Sequence, residues 1–275
     1  MQPRSHTFMV GSIECTVLLD GTSILGKQGM ARRFPHVAEA DIRNAYLSLG
    51  KNLDTADDYF NILLLKIGEE VVLVDSGEGG NPKGGQVVES MAHAGIAPED
   101  VTLIVITHAH GDHILGLLSN DNKSVFPNAK YVITRPEMEY WRKNLDSAVS
   151  EQTDIVNMIE SQGVRLIEMN EQILPGLTAV PLPGHTPGHI AVQVKSGTEK
   201  LQHMADLLIS PIQFEHPEWS PVFDRDTGTS VPTRLETLQR AADEGLLCLF
   251  YHMPFPGLGF VKRTEDSFAW QPIGS

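Results

Sequence analysis

Residues 101–107 read Val-Thr-Leu-Ile-Val-Ile-Thr, β-branched and apolar with little alternation. Such a run predicts a strand buried on both faces, and therefore a sheet covered by further layers on each side. His108, His110, Asp112 and His113 follow at once, four potential metal ligands within six residues at the end of a rigid element. Spacing of two puts His108 and His110 on one side of an extended chain. Gly111 permits a sharp turn, after which Asp112 and His113 face the same cavity. Neutral imidazoles and a carboxylate suit zinc, and also manganese, iron or cobalt. A solitary histidine is ordinarily a polar loop residue; this grouping is too dense for that reading.

The rest of the chain mixes strand and helix signals. Residues 13–19 partly alternate and end at Asp20-Gly21, which predicts a strand and a turn. Residues 60–67 and 71–74 predict a hairpin across Gly68-Glu69-Glu70, and 86–94 a helix capped by Gly95. Helices are expected at 137–144, behind Pro136, and at 154–161, while 31–50 reads as helical or irregular. Strand-like runs recur at 131–134, 164–167, 177–182, 190–194, 201–204 and 246–251. Ser230 is placed to cap a helix over 231–244, with Pro232 in its first turn, Gly245 at its end and Val231, Leu235, Leu238 and Ala242 on its apolar face. No linker divides the chain, so 1–275 reads as a single domain of two similar halves meeting near residue 165.

Composition narrows the partners. Lys plus Arg number 21 against 35 Asp plus Glu, a net charge of −14, which opposes binding to nucleic-acid phosphates. No apolar run is long enough to cross a membrane, and residues 1–13 hold no secretory signal. The expectation is a cytoplasmic protein acting on a small molecule, although a trimmed secreted form would read the same. Cys15 and Cys248 make no disulfide framework, and Cys248 sits in an apolar run as a small core residue.

One tetrahedral ion does not readily take all four ligands of the cluster, and more candidates follow. Gly184-His185-Thr186-Pro187-Gly188-His189 lies between two strand-like runs, Asp206 follows the run at 201–204, and His252 follows the run at 246–251. Polar residues at strand ends are where a loop-built site on a rigid scaffold places them. The H-x-H-x-D-H stretch, G-H-T-P-G-H, Asp206 and His252 together resemble the metallo-β-lactamase superfamily. Asp75, in Val74-Asp75-Ser76-Gly77, matches that superfamily's early aspartate, which supports the ligand loop. The resemblance covers nearly the whole chain. It implies an α/β fold, a four-layer αβ/βα sandwich with metals at one edge between two β-sheets. It implies two divalent metal ions per chain, zinc foremost: one on His108, His110 and His185, the other on Asp112, His113 and His252, with Asp206 bridging. Ala205 departs from the pattern, since many relatives have glycine there. His189 is given a supporting role, and His6, His36, His93, His203 and His216 none.

The branch is narrowed by what is missing. One set of true β-lactamases uses a cysteine at the position that Asp206 matches, and neither cysteine lies there. Flavo-diiron proteins carry Glu where His110 stands, and the superfamily's nucleases carry large extra modules. The ordered segments His216-Pro217-Glu218-Trp219, Phe223-Asp224-Arg225-Asp226, Thr233-Arg234 and Tyr251-His252-Met253-Pro254-Phe255-Pro256-Gly257-Leu258-Gly259 resemble the branch containing methyl parathion hydrolase and quorum-quenching lactonases. Trp141 resembles an aromatic lining the leaving-group pocket there, and Phe60 and Phe255 are further pocket candidates. The resemblance implies a dinuclear hydrolase that attacks a lactone, ester or organophosphate with a metal-bridging hydroxide, Asp112 and Asp206 serving as catalytic carboxylates. A lactonase acting on N-acyl homoserine lactone is the first expectation. A glyoxalase-type thioesterase and an iron-dependent sulfur dioxygenase are the alternatives. Relatives are often dimers, so a homodimer, with residues 1–50 reaching a partner, is also within expectation.

Overall fold

A computed structural model describes residues 4–80, 85–121, 123–144 and 150–273. The first half contributes β1 (Ser5–Val10), β2 (Ile13–Ile24), α1 (Gly26–Arg33), α2 (Glu39–Ser48), β3 (Asp57–Ile67), β4 (Glu70–Val74), α3 (Val87–His93), β5 (Leu103–Val105), α4 (Gly111–Ile114), β6 (Lys130–Thr134), α5 (Arg135–Asn144), α6 (Ser150–Ser161) and β7 (Arg165–Ile167). The second contributes β8 (Gln172–Leu174), β9 (Leu177–Pro181), β10 (Ile190–Ser196), β11 (Glu199–His203), α7 (Thr227–Glu244), β12 (Leu247–Leu249), β13 (Leu258–Arg263) and β14 (Phe268–Pro272). The strands form two seven-stranded sheets, one in the order β1 to β7 and the other in the order β14 to β8.

Alternation along the strands explains the layers. Leu63, Leu65, Val72, Val74, Leu103 and Val105 of the first sheet meet Ala179, Val192, Val194, Leu201 and Leu249 of the second in one buried cluster. The residues between them, Ile62, Leu64, Leu73 and Ile104, point outward and pack against Met91 of α3, Met138 of α5 and Ile155 of α6. On the far side, Leu238 and Ala241 of α7 cover Ala191, Cys248 and Val261. The result is the expected αβ/βα sandwich. Each fully buried Leu, Ile or Val side chain in these layers contributes about 1.5–3 kcal/mol of transfer free energy.

β5 is buried on both faces and flanked by parallel β4 and β6, so its carboxyl end is held rigidly where the histidine cluster begins. β10 leaves the opposing sheet beside it, and the Ile190 amide donates to the Thr107 carbonyl at 3.2 Å, which ties the two sheets together at this edge.

Two local expectations are corrected. Asp20-Gly21 is not a turn: β2 continues to Ile24, with a bulge between Leu19 and Gly21. The Asp20 carboxylate is buried and accepts the amides of Glu78, Gly85 and Val87 at 2.9, 2.9 and 2.7 Å, which reward an extended strand. Nor does Ser230 cap the last helix, which begins at Thr227 and places Pro232 beyond the first turn. Ser230 Oγ instead donates to Asp224 at 2.7 Å, and Leu235, expected on the apolar face, is 40% exposed. Helices α1 and α2 pack on their own chain: Met30, Phe34, Ile42 and Tyr46 form a small core with Ile209 and Ile212.

Candidate metal centre

The cluster is anchored from behind. The Thr107 amide and hydroxyl donate to the two oxygens of Asp75, at 2.8 and 2.7 Å, and His113 Nδ1 donates to the same carboxylate at 2.8 Å. Asp75 itself stands at φ 63°, a left-handed conformation that aspartate tolerates better than most residues. His110 is extended and precedes the short helix α4, so the chain turns at Gly111 and returns Asp112 and His113 toward the cluster.

Two groups of side chains converge: His108, His110, His185 and Asp206, and Asp112, His113, His252 and Asp206, with ligating atoms within 4.8 Å of one another in each group. Asp206 belongs to both. Its Oδ2 lies 3.2 Å from His185 Nε2 and 3.7 Å from His108 Nε2, while its Oδ1 lies 3.0 Å from His113 Nε2 and 3.3 Å from His252 Nε2. Asp112 Oδ2 stands 3.5 Å from His252 Nε2 and 3.8 Å from His113 Nε2.

The outward nitrogens decide the tautomers. His185 Nδ1 donates to Asp224 at 2.9 Å, His252 Nδ1 to Asp58 at 2.8 Å, and His113 Nδ1 to Asp75. Thr107 Oγ1, whose own proton goes to Asp75, accepts from His108 Nδ1 at 3.2 Å. In the neutral ring each inward Nε2 therefore presents a bare lone pair. His108 Nε2 and His185 Nε2 stand 3.0 and 2.9 Å from His110 Nδ1, so three nitrogens crowd a space that at most one proton can serve. His113 Nε2 and Asp206 Oδ1 are buried, 3.0 Å apart and without a hydrogen bond. Orphaned lone pairs facing one another in a dry interior fit a cation, and this nitrogen-and-carboxylate donor set suits zinc or a neighbouring divalent metal.

The surrounding carboxylates draw positive charge to the site, held as protons when no cation is bound. Burial pulls His108 and His110 well below the usual histidine range, and the neighbouring imidazoles add to the effect. Burial would also lower His185 and His252, but the facing carboxylates overcome it and raise them to about 9 and about 10. Burial opposes the Asp206 charge, yet His113 and His252 hold its carboxyl well below the ordinary range.

Supporting residues complete the site. The Asp206 amide donates to His189 Nε2 at 3.2 Å, and His189 Nδ1 donates to the Leu182 carbonyl at 2.9 Å. Ala205 stands at φ 44°, a left-handed conformation that suits glycine better than alanine. Tyr251 stacks on His113 at 4.1 Å and donates its hydroxyl to the Asp112 carbonyl. Glu137 on α5 is buried and accepts from the Ala109 amide (3.0 Å), Trp141 Nε1 (2.7 Å), Thr186 Oγ1 (2.6 Å) and the Gly188 amide (3.1 Å), so it joins the two histidine loops.

Asp58, Glu137 and the role of Asp224 went unrecognised in the sequence. Asp224 lay in a noted segment, and the signal for Asp58 was an acid at the start of an apolar strand. His203 is buried but belongs to neither ligand group, and His6, His36, His93 and His216 also lie outside both.

Above the groups opens a cavity of about 520 Å³, lined among others by Phe60, Trp141, Glu78, Arg33, Phe223 and Arg225. Phe60 meets His252 edge-on at 5.6 Å, and Trp141 meets His110 edge-on at 5.9 Å. Phe255 is a correction: it lines a separate apolar groove with Pro254, Pro256 and Trp270. The chain reverses just past His252, with the Gly257 amide bonded to the Pro254 carbonyl at 2.8 Å, and carries Phe255 away from the metal edge.

Fold and site together define an αβ/βα sandwich that carries a candidate metal centre at one edge. The chain belongs to the Metallo-beta-lactamase superfamily, whose sequence profile matches residues 57–252. It is similar to the N-acyl homoserine lactonase of a Bacillus species, 28% identical over 115 residues, which are 42% of this chain and 40% of the relative. It is also similar to Ribonuclease Z of Nocardia farcinica (strain IFM 10152), 42% identical over 71 residues, 26% of this chain and 21% of the relative. The matched stretches thus span 40% and 21% of these curated relatives' length. Among solved structures it resembles AidC, a dizinc quorum-quenching lactonase in complex with a product, N-hexanoyl-L-homoserine, with a TM-score of 0.91 and 28% identity over 100% of this chain and 99% of that one. Among the described residues no helix is long and apolar enough to cross a membrane.

Proposed function

We propose that this chain is a dinuclear metal-dependent lactonase whose substrate is an N-acyl homoserine lactone. The observation that carries the reading is Asp206, whose two oxygens face two separate histidine groups on the floor of one cavity. His108, His110 and His185 would hold one ion, Asp112, His113 and His252 the other, with Asp206 between them. Divalent ions in such a site supply Lewis acidity to the substrate oxygen and make hydroxide available near neutral pH. The likeness to AidC supports zinc and the lactone substrate.

The chain's own residues do the remaining work. Leu25, Phe60, Leu115, Ile209 and Phe223 give the cavity apolar walls that suit an acyl chain, while the buried carboxylates behind the histidines keep the ligand rings from turning. In ring opening, water adds to the carbonyl carbon, the ring C–O bond breaks, and a carboxylate, a hydroxyl and one released proton result. Asp112, 25% exposed, lines the cavity where that proton is released. Glu78 lines the same cavity, and burial, helped by Asp112, Asp20 and Asp58, lifts its carboxyl to about 7.

The test compares an acyl homoserine lactone, an aryl ester, a thioester and a methyl phosphotriester on one metal-loaded preparation, with chelated protein as control. Chelator-sensitive hydrolysis with the lactone highest in kcat/KM is expected, and His108→Ala and Asp206→Ala should reduce it to background while the protein stays folded. A preference for the thioester, or near-normal turnover in either variant, refutes the assignment it addresses.

A further inference from the structure

Each half of the centre is backed by the same three-residue construction, and the two copies are rooted differently. On one side Arg234 Nη2 donates to Asp224 Oδ2 at 2.8 Å, and Asp224 Oδ1 accepts from His185 Nδ1 at 2.9 Å. On the other, Arg33 Nη2 donates to Asp58 Oδ2, and Asp58 Oδ1 accepts from His252 Nδ1 at 2.8 Å. Arg234 sits on the long helix α7, is buried, and also bonds the carbonyls of Leu207 (2.9 Å) and Pro217 (2.8 Å); Ser230 adds a further donor to Asp224 at 2.7 Å. Arg33 is the last residue of the eight-residue helix α1, which has no side-chain cap and buries only Met30. Its remaining bond, to the Ile209 carbonyl, is 3.2 Å long, and its side chain is 14% exposed to the cavity, 6.0 Å from the Phe223 ring.

A carboxylate on the outer nitrogen of a ligand histidine fixes the ring and raises its basicity, and loss of such a partner typically weakens metal binding about 10–100-fold. Asp58 is buried; it accepts from His252 and, at 3.2 Å, from the Tyr59 amide, and Arg33 supplies the one permanent positive charge against it. His252 Nδ1 has a second acceptor in reach, the Tyr59 carbonyl at 3.1 Å, so a weakened Asp58 loosens the ring without freeing it. No comparable slack exists on the His185 side, where Arg234 and Ser230 both pin Asp224.

We propose that Arg33 is a positioning residue which, through Asp58, sets how tightly the ion on the His252 side is held, so that this ion is the exchangeable one of the two. The inference rests on the two-metal reading above. It makes helix α1, which also lines the substrate cavity, the element that controls occupancy of one metal position.

The experiment loads wild type, Arg33→Met, Arg33→Lys and Ser230→Ala with cobalt(II), titrates each with a chelator, and follows metal per chain by elemental analysis and the cobalt absorption bands. Wild type should release its ions in two steps. Arg33→Met, which leaves Asp58 in place, should move the first step to lower chelator by up to about tenfold and leave the second in place. Arg33→Lys should recover part of that loss, since it restores the charge but not the fork. Ser230→Ala should move only the second step. Both steps moving together in Arg33→Met, or neither moving, overturns the proposal, and if that variant does not fold, Arg33→Lys is judged by the same criterion. Wild type that binds fewer than two ions overturns the two-metal reading, a result distinct from failure of the Arg33 variants alone.

Discussion

Glu137 offers the sharpest test of how the metal edge is held together. Its carboxylate takes four donors from three segments: Ala109 in the first histidine loop, Thr186 and Gly188 in the second, and Trp141 on its own helix. Burial pushes its pKa up, and those four donors work against the rise. Glu137→Ala orphans all four. A buried donor without a partner costs about 1–3 kcal/mol, and the vacated space lets water reach some of them, so the net loss should be about 3–6 kcal/mol. At about 2–4 °C per kcal/mol for a chain of this size, Tm should fall by roughly 10–20 °C. Glu137→Gln keeps the shape and one acceptor oxygen but turns an amide NH2 toward two donors, so about half of that loss is expected. The assay is thermal and urea denaturation of the metal-free protein, followed by metal titration, because loops released from Glu137 should bind metal more weakly. A drop below about 3 °C in Glu137→Ala, with unchanged metal affinity, would refute the view that this carboxylate fastens the two loops together.

Other predictions address separate features. Burial lowers His203 to about 4, while an unfolded histidine titrates near 6.5, so the unfolded state binds the extra proton between those values and stability falls as pH drops through that window; a His203→Phe variant should show a flatter acid limb by urea denaturation of metal-free protein. Chelation should lower Tm, since each ion present at 100 times its Kd adds about 2.7 kcal/mol, and scanning calorimetry with and without chelator checks it. Ala205→Gly relieves a left-handed alanine and should raise stability by about 0.5–1 kcal/mol, read from the urea midpoint. Phe255→Ala should leave kcat/KM within about twofold, because its ring lines the separate groove, whereas Phe60→Ala, at the edge of His252, should reduce it about tenfold or more.

Local signals served the fold well where a short segment carries its whole reason. The run at 101–107 is apolar on both faces because both faces are covered, and Ile104 and Val105 indeed point into different clusters. The helix ending at Gly95 was legible because glycine there adopts φ 73°, a conformation other residues resist. Errors arose where a residue's purpose lies elsewhere in the chain. Asp20-Gly21 has the composition of a turn, and only the amides of Glu78, Gly85 and Val87 make that aspartate a strand residue. Ser230 has the chemistry of a cap, and only Asp224, folded back against it, draws its hydroxyl away.

The site divides along the same physical line. Groups that could share a metal ion must lie within a few ångströms of one another, which compresses four of the candidate ligands into 108–113 and makes them visible as a spacing. Their outer partners obey no such rule. Asp58 reaches His252 across 194 positions, Asp75 reaches His113 across 38, and Asp224 reaches His185 across 39. Asp75 is legible only through the motif around it, and little in the local chemistry of Asp58 and Asp224 distinguishes them from solvated acids, which in a chain of net charge −14 are plentiful. Burial distinguishes them, and burial depends on how the two sheets close. A carboxylate that would be costly alone in the interior persists because a histidine proton and an arginine meet it there. Arg33 and Arg234 therefore matter to the centre although neither has an atom among the ligand groups. The chelator titration of the Arg33 variants thus also tests whether compensation of a buried charge, rather than the ligand set alone, determines which metal position exchanges.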